Sequence, residues 1–347
     1  MKIIIAGAYT IGTYLAQFLS RNKYNIILID EQEERLNKIG QDYDLLTLQG
    51  KPTSIQILQE ADVKHADLFI AVDPKETTNI TACTMAHHLG AKKTVAKIDN
   101  PEYLESKNQE LFKQLGVDSL IYPELLAAKD IINGLKMSWV RQRWDVRGGA
   151  LVMLGIKLRD TCAILDKPLR EISGPNDPYH IVAIKRRNET IIPGGNETLQ
   201  REDLAYFMTT KEYIPYVRKF TGKEHYVDVK NVMIMGGGRT AVRSVKIMPE
   251  YMDIKIIENS FDRCEYLNEI FDESVLVING DGRDTDLLIE EGIRHTQAFV
   301  ALTPNAETNI LACMAAKNLG VRKTIAAVEN FDYVDIDRKS TRLNSSH

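Results

Sequence analysis

Residues 71–103, AVDPKETTNITACTMAHHLGAKKTVAKIDNPEY, recur as residues 301–333, ALTPNAETNILACMAAKNLGVRKTIAAVENFDY. Aligned without a gap, 15 of these 33 positions are identical. Two unrelated amphipathic segments do not agree so closely, so the chain carries a duplication offset by about 230 residues. Other landmarks keep step: Gly7 matches Gly236, Asp30 matches Glu258, and Gly50 matches Gly280. A chain built this way folds twice to one plan. Its 347 residues also leave room for a smaller module.

The plan is legible in the first copy. Apolar runs at Lys2–Ala6, Asn25–Ile29, Asp44–Gln49, Asp67–Val72, Thr94–Ile98 and Ser119–Ile121 predict short strands. Helices are predicted after Gly12, over Glu33–Ile39, from Pro52–Ser54, over Thr77–Leu89 with Gly90 as a left-handed cap, and over Pro101–Leu115. Strict alternation of strand and helix predicts a parallel sheet with helices on both faces. The expected class is therefore α/β: two Rossmann-like, doubly wound parallel-sheet domains with a small α+β lobe between them. The first domain is expected over 1–124 and the second over 229–336. Between them, 125–148 reads as a crossover helix (Leu125–Val140) and linker. Residues 149–222 read as a strand-and-turn module, with strands at Ala150–Lys157, His180–Lys185, Thr190–Pro193 and Leu204–Thr209, and a hairpin turn at Arg187–Glu189. The tail 337–347, DRKSTRLNSSH, has no hydrophobic period. It resembles translated adapter sequence, so it is expected to be non-native and the second copy truncated.

Each copy opens on a glycine turn between a strand and a helix. The first is GAYTIG, with Gly7, Tyr9 and Gly12 at the three fingerprint positions; the second is GGGRTA, with Gly236, Gly238 and Ala241. In such turns the first glycine makes the bend and the second lets backbone approach a pyrophosphate. The third position, glycine or alanine, lets helix pack on strand. The phosphate then rests on free N–H groups and the positive helix end. The expected cradles are Gly7, Ala8, Tyr9, Thr10, Ile11 and Gly12, and Gly236, Gly237, Gly238, Arg239, Thr240 and Ala241. Tyr9 departs from the pattern, because a side chain stands where close approach is wanted. It either narrows the seat or stacks over a ligand.

An acid ends the next strand in each copy. Asp30 lies 18 residues after Gly12, and Glu258 lies 17 after Ala241. An acid there accepts hydrogen bonds from an adenosine ribose and repels a 2′-phosphate, which favours NAD(H) over NADP. Asp73, its counterpart Thr303, and Lys97 stand at the carboxyl ends of later strands, on the ligand edge. Thr78–Asn79 and Thr308–Asn309 lie near helix starts, where they either cap the helix or reach a ribose.

Composition excludes several classes. A net charge of −4 gives no reason to expect a nucleic-acid partner. Cys83, Cys162, Cys264 and Cys313 lack metal-site spacing and read as reduced core thiols. No apolar stretch approaches a membrane span of roughly 18 residues, so the protein is expected to be cytoplasmic, meeting a membrane only through a partner. Trp139 and Trp144, among Lys136, Arg141, Arg143 and Arg147, read as a hinge or as a protein-contact patch. No nucleophile elbow or acid–base constellation is present, which disfavours an enzyme. An NAD-dependent oxidoreductase remains the alternative to a ligand sensor, and a purely structural module the third reading.

The order of these motifs resembles the Trk potassium-uptake regulatory proteins, which are built from tandem RCK domains. The likeness rests on the repeated glycine turn and acid, the TNI-AC helix starts, VDSLIYPELLAAKDI, and HIVAIKRRNETIIPGGNETLQREDLAYFM. It covers residues 1 to about 336. It implies a nucleotide-responsive gating ring, a homo-oligomeric dimer or tetramer, beneath a Trk-type potassium channel membrane subunit. NAD(H), with ATP or ADP, are the implied ligands, and pairing runs through the helix at about Leu125–Trp139. Some relatives hold a cation near the acid that is Glu124 here. The chain departs from the family pattern at Tyr9, at Lys97 where arginine is usual, and in lacking a second C-terminal lobe.

Overall fold

The computed structural model describes residues 1–328, apart from 23, 41, 42, 44, 175, 188, 227, 228 and 272. The tail 337–347, the end of the second copy after 328, Asp44 and Asn188 therefore lie outside the described residues. The chain divides into two compact units, Met1–Leu126 and Ala127–His347.

The first unit runs β1 (Lys2–Ala6), α1 (Thr10–Ser20), β2 (Asn25–Asp30), α2 (Glu33–Gly40), β3 (Leu46–Gln49), α3 (Ile55–Glu60), β4 (Leu68–Ala71), α4 (Glu76–His88), β5 (Thr94–Lys97), α5 (Ser106–Gln114) and β6 (Ser119–Ile121). The sheet is parallel in the order β3-β2-β1-β4-β5-β6. Its central strand, KIIIA, is apolar on both faces because both are covered. Ile3 and Ile5 pack under Ala16 of α1 and Leu36 and Ile39 of α2. Ile4 and Ala6 pack under Leu58, Ala82, Cys83 and Phe112 of α3, α4 and α5. The order reverses beside β1, so the chain leaves β1 and β4 toward opposite faces of the sheet, into α1 and α4, and their carboxyl ends are where this fold class binds ligands. Gly90 takes φ +113°, the left-handed cap its position predicts. The helix expected over Pro101–Leu115 is broken. Asn100 caps a tight turn at Pro101–Leu104, Glu105 is extended, and α5 starts afresh.

The next helix, α6 (Pro123–Lys136), stops earlier than expected. The small lobe follows: β7 (Gln142–Val146), β8 (Leu151–Lys157), α7 (Leu169–Ile172), β9 (Tyr179–Arg186), β10 (Glu189–Ile191), β11 (Leu204–Thr209) and α8 (Ile214–Phe220). Its antiparallel sheet has the order β10-β9-β11-β8-β7. The expected linker thus contributes a strand. Trp144 pairs with Met153 across β7 and β8, and Trp139 is buried in the lobe core with Leu154, Ile156 and Phe207. The basic, tryptophan-bearing stretch is part of the lobe rather than a hinge.

The second copy repeats the first: β12 (Asn231–Met235), α9 (Arg239–Ile247), β13 (Asp253–Glu258), α10 (Phe261–Ile270), β14 (Val275–Asn279), α11 (Thr285–Glu290), β15 (Ala298–Ala301), α12 (Ala306–Asn318) and β16 (Lys323–Ala326). The parallel order is β14-β13-β12-β15-β16, the same switch point in the same place. One face, with Val232 and Ile234, is covered by α9 and α10 and also by Ile131, Ile132 and Leu135 of α6. Gly134 lets α6 lie close, since a Cβ there would sit 3.3 Å from the Ile325 side chain.

Candidate functional site

Both glycine turns bend through a positive φ, +104° at Gly7 and +95° at Gly236. A Cβ on Gly7 would lie 2.9 Å from the Asp73 nitrogen, and one on Gly236 would lie 3.1 Å from the Leu302 carbonyl carbon. Each turn therefore packs directly on the backbone that leaves the fourth strand of its own copy. At the third position the copies differ. A Cβ on Gly12 would lie 1.8 Å from the Gly7 oxygen, whereas Ala241 carries a fully buried methyl.

The middle residue of each turn is the N-cap of the next helix, Tyr9 for α1 and Gly238 for α9. No side chain caps either helix. The first-turn N–H groups at Thr10, Ile11 and Gly12, and at Arg239, Thr240 and Ala241, thus begin their helices without the usual hydroxyl or carboxylate. That leaves an anion seat at the crevice. Around Gly238 the seat is open, with nothing within 4 Å of an ideal Cβ.

The two acids stand where the spacing placed them, and each is tied to its turn. Asp30 Oδ2 accepts from the Ala8 N–H at 2.7 Å, and Glu258 Oε2 accepts from the Gly237 N–H at 2.7 Å. The other oxygen accepts from Gln32 N–H at 2.8 Å in one copy and Ser260 N–H at 2.9 Å in the other. A carboxylate offers about four lone-pair sites, so each acid keeps capacity beyond these two backbone bonds. At Asp30 part of it is taken by Arg35, whose Nη1 lies 3.3 Å from Oδ1.

Two expected ligand residues have other work. Asn79 and Asn309 are fully buried. The Asn79 amide donates to the carbonyls of Asp73 and Lys97 and accepts from the Asp73 N–H. Asn309 does the same with Thr303 and Ala327. Both N–H bonds of each amide are spent, so neither has a donor left for a ribose. They clamp the ends of the fourth and fifth strands together. Thr303 Oγ1 donates to Asn309 Oδ1 at 2.7 Å, and Asp73 Oδ1 accepts from the Lys75 N–H at 2.9 Å. Lys97 is held by Asp99 at 2.9 Å. Thr308 serves α12 through its backbone N–H, which donates to the N-cap Asn305, while Thr78 is half-buried in the first turn of α4.

Spacing along one strand–turn–helix does not single out Arg35 and Arg263, each five residues after the acid of its copy. Arg35 lies over the Tyr9 ring at 3.7 Å; Arg263 donates to the Gly237 carbonyl at 2.8 Å. A repeated arginine at that offset was the available signal. A cleft of about 410 Å³ in the second copy opens at the opposite sheet edge, among Asn231, Asp253, Lys255 and Glu291. It faces strand beginnings, away from the glycine turn, and its lysine is bound to Glu291 at 2.6 Å. Among the described residues no group of three His, Cys, Asp or Glu could hold a metal, and no helix is long and apolar enough to cross a membrane.

Known proteins resemble this chain in sequence and fold. The model of the TrkA-N domain matches residues 3–123 and 232–341, and that of the TrkA-C domain matches 153–222. The Trk system potassium uptake protein TrkA of Halomonas elongata is 30% identical over 97% of this chain and 74% of its own length. A TrkA homolog of Archaeoglobus fulgidus is 29% identical over 97% of this chain and 76% of its own. Among solved structures, the GsuK channel superposes with a TM-score of 0.65 at 14% identity, over 93% of this chain and 61% of that one. The GsuK channel bound to NAD gives 0.63 at 15%, with the same coverage. Two TrkA-N domains flanking a TrkA-C domain, on the duplicated fold that the geometry shows, mean that this chain belongs to the TrkA family.

Proposed function

We propose that this chain is the nucleotide-binding regulatory subunit of a Trk-type potassium uptake system, acting at the cytoplasmic face of the membrane through a channel subunit. One observation carries the reading: each copy joins an uncapped helix start to a ribose-type acid through a direct backbone bond. That pairing suits a dinucleotide, with pyrophosphate on the helix and ribose on the acid. NAD(H) is the favoured ligand and ATP or ADP the alternative. Gating follows if the nucleotide binds one arrangement of the assembly better than another.

Self-assembly into a dimeric or tetrameric ring has support of its own. In the second copy Ala298 and Val300 are fully buried on the sheet face that α6 helps to cover. Their counterparts Leu68 and Ile70 are only partly buried. A helix from another copy would complete that face.

Calorimetric titration with NADH, NAD, ATP and ADP tests the reading. Saturable binding without consumption over hours is expected. Sustained hydride transfer, or no binding of any of the four, would overturn it. Gly238→Asp should abolish binding at the second copy. Its backbone, φ −66° and ψ −177°, suits any residue, so the loss would report charge against the pyrophosphate rather than misfolding.

A further inference from the structure

The two copies share a plan but differ at the mouth of the crevice. In the first, the Arg35 guanidinium lies 3.7 Å above the Tyr9 ring and 3.3 Å from Asp30 Oδ1. Asp30 ends β2, Tyr9 starts α1 and Arg35 stands on α2, so one cation bridges three elements around the anion seat. The Asp30 side chain is only 4% exposed, and the guanidinium lies against its Oδ1. A ribose bonded to Asp30 would need that same space.

In the second copy the bridge is absent. Gly238 replaces Tyr9 and removes the ring. Arg263, the counterpart of Arg35, donates instead to the Gly237 carbonyl and lies over Tyr266 at 4.5 Å. Among the described residues no cation pairs with Glu258, whose carboxylate accepts from the backbone N–H groups of Gly237 and Ser260.

Resting on the nucleotide-binding reading above, we infer that the first site is closed by its own residues. Arg35, stacked on Tyr9 and paired with Asp30, occupies the ribose position, so the copies bind dinucleotide unequally: tightly at the second, weakly at the first. Ligand entry at the first copy must break a cation–π contact and a half-buried ion pair. Contacts of those kinds set roughly a tenfold to hundredfold penalty in affinity. A duplicated chain thereby acquires two thresholds for one ligand.

The full chain carrying Gly238→Asp silences the second copy, so any remaining NADH binding reports the first. In that background Arg35→Gln and Tyr9→Gly should each strengthen NADH binding by about tenfold or more. Glycine is accepted at an N-cap, so Tyr9→Gly keeps α1. A merely structural arginine would give the opposite sign, because losing it would loosen Asp30. Unchanged or weaker binding in both variants overturns the inference. Gly238→Tyr alone supplies the converse, giving Arg263 a ring to stack on, and should weaken the second site by a similar factor. Wild-type affinity there also overturns it. If the wild-type chain binds none of NADH, NAD, ATP and ADP, the nucleotide-binding reading itself falls and takes this inference with it; if it binds ATP or ADP but no NADH, only this inference falls. If the wild type binds two equivalents equally, only the inference falls.

Discussion

Gly12 and Ala241 hold the same place in two copies of one turn. The Gly7 oxygen lies 1.8 Å from where a Gly12 Cβ would stand, and it belongs to the backbone, so no side chain can swing aside. Gly12→Ala therefore has to move the turn or the helix, and should destabilise the first unit by about 2 kcal/mol or more in urea unfolding. Ala241→Gly should cost only about 1 kcal/mol, the loss of one methyl and some helix propensity. Equal effects would mean that the two turns pack alike. Cys83 gives a second test at this scale. Burial pushes its thiol up to about 12, only partly offset by backbone hydrogen bonds at Ala71 and Val95, and its Sγ donates to the Val95 carbonyl. Cys83 should stay unalkylated by iodoacetamide at pH 8 until the protein unfolds; rapid labelling of the native chain would contradict the packing. The residues whose position the sequence locates are those fixed by spacing along one strand–turn–helix, namely the glycines, Asp30 and Glu258. The bonds of Asn79 and Arg35 do not follow from spacing, for one reason. Their partners, the Lys97 carbonyl and the Tyr9 ring, are brought close only by the closed sheet.

Among elements, α6 shows how an amphipathic pattern can be legible while its partner is not. Its apolar positions Ile131, Ile132 and Leu135 predict a buried face, but nothing in the period says which sheet receives it. The face lies on the second copy, with Val232, Ile234 and Val300. Leu135 is fully buried there. Leu135→Ala should lower stability by about 2–5 kcal/mol, read from urea unfolding, with the loss in the second unit. A loss confined to the first unit would reassign the helix. β7 was hidden for a different reason. QRWDV is mostly polar, its strand is at the sheet edge, and only pairing with the apolar β8 makes it a strand. The central parallel strands β1, β2, β4, β12 and β15 pose no such difficulty, since burial on both faces writes them as largely apolar runs.

For the whole molecule, the duplication predicts how stability and ligand binding are distributed. The buried clusters of the first unit draw on residues from Ile3 to Val117, and those of the second begin at Ile131. Each unit thus has a hydrophobic core of its own, and scanning calorimetry should show two transitions rather than one. Ligand binding stabilises the state that binds it, by about 2.7 kcal/mol at a hundredfold excess over Kd. On a unit of this size that shifts Tm by roughly 5–10 °C. With Arg35 filling the first site and Gly238 leaving the second open, NADH at concentrations that saturate only the tighter site should raise one transition and leave the other in place. Gly238→Asp should erase that shift, which identifies the transition as the second unit's. Higher NADH should then begin to move the first. A single transition rising as one body would show that the two units unfold together, and the unequal sites would have to be read from binding alone. Two transitions that rise together at low NADH would instead mean equal sites, and Arg35 would be no barrier at all.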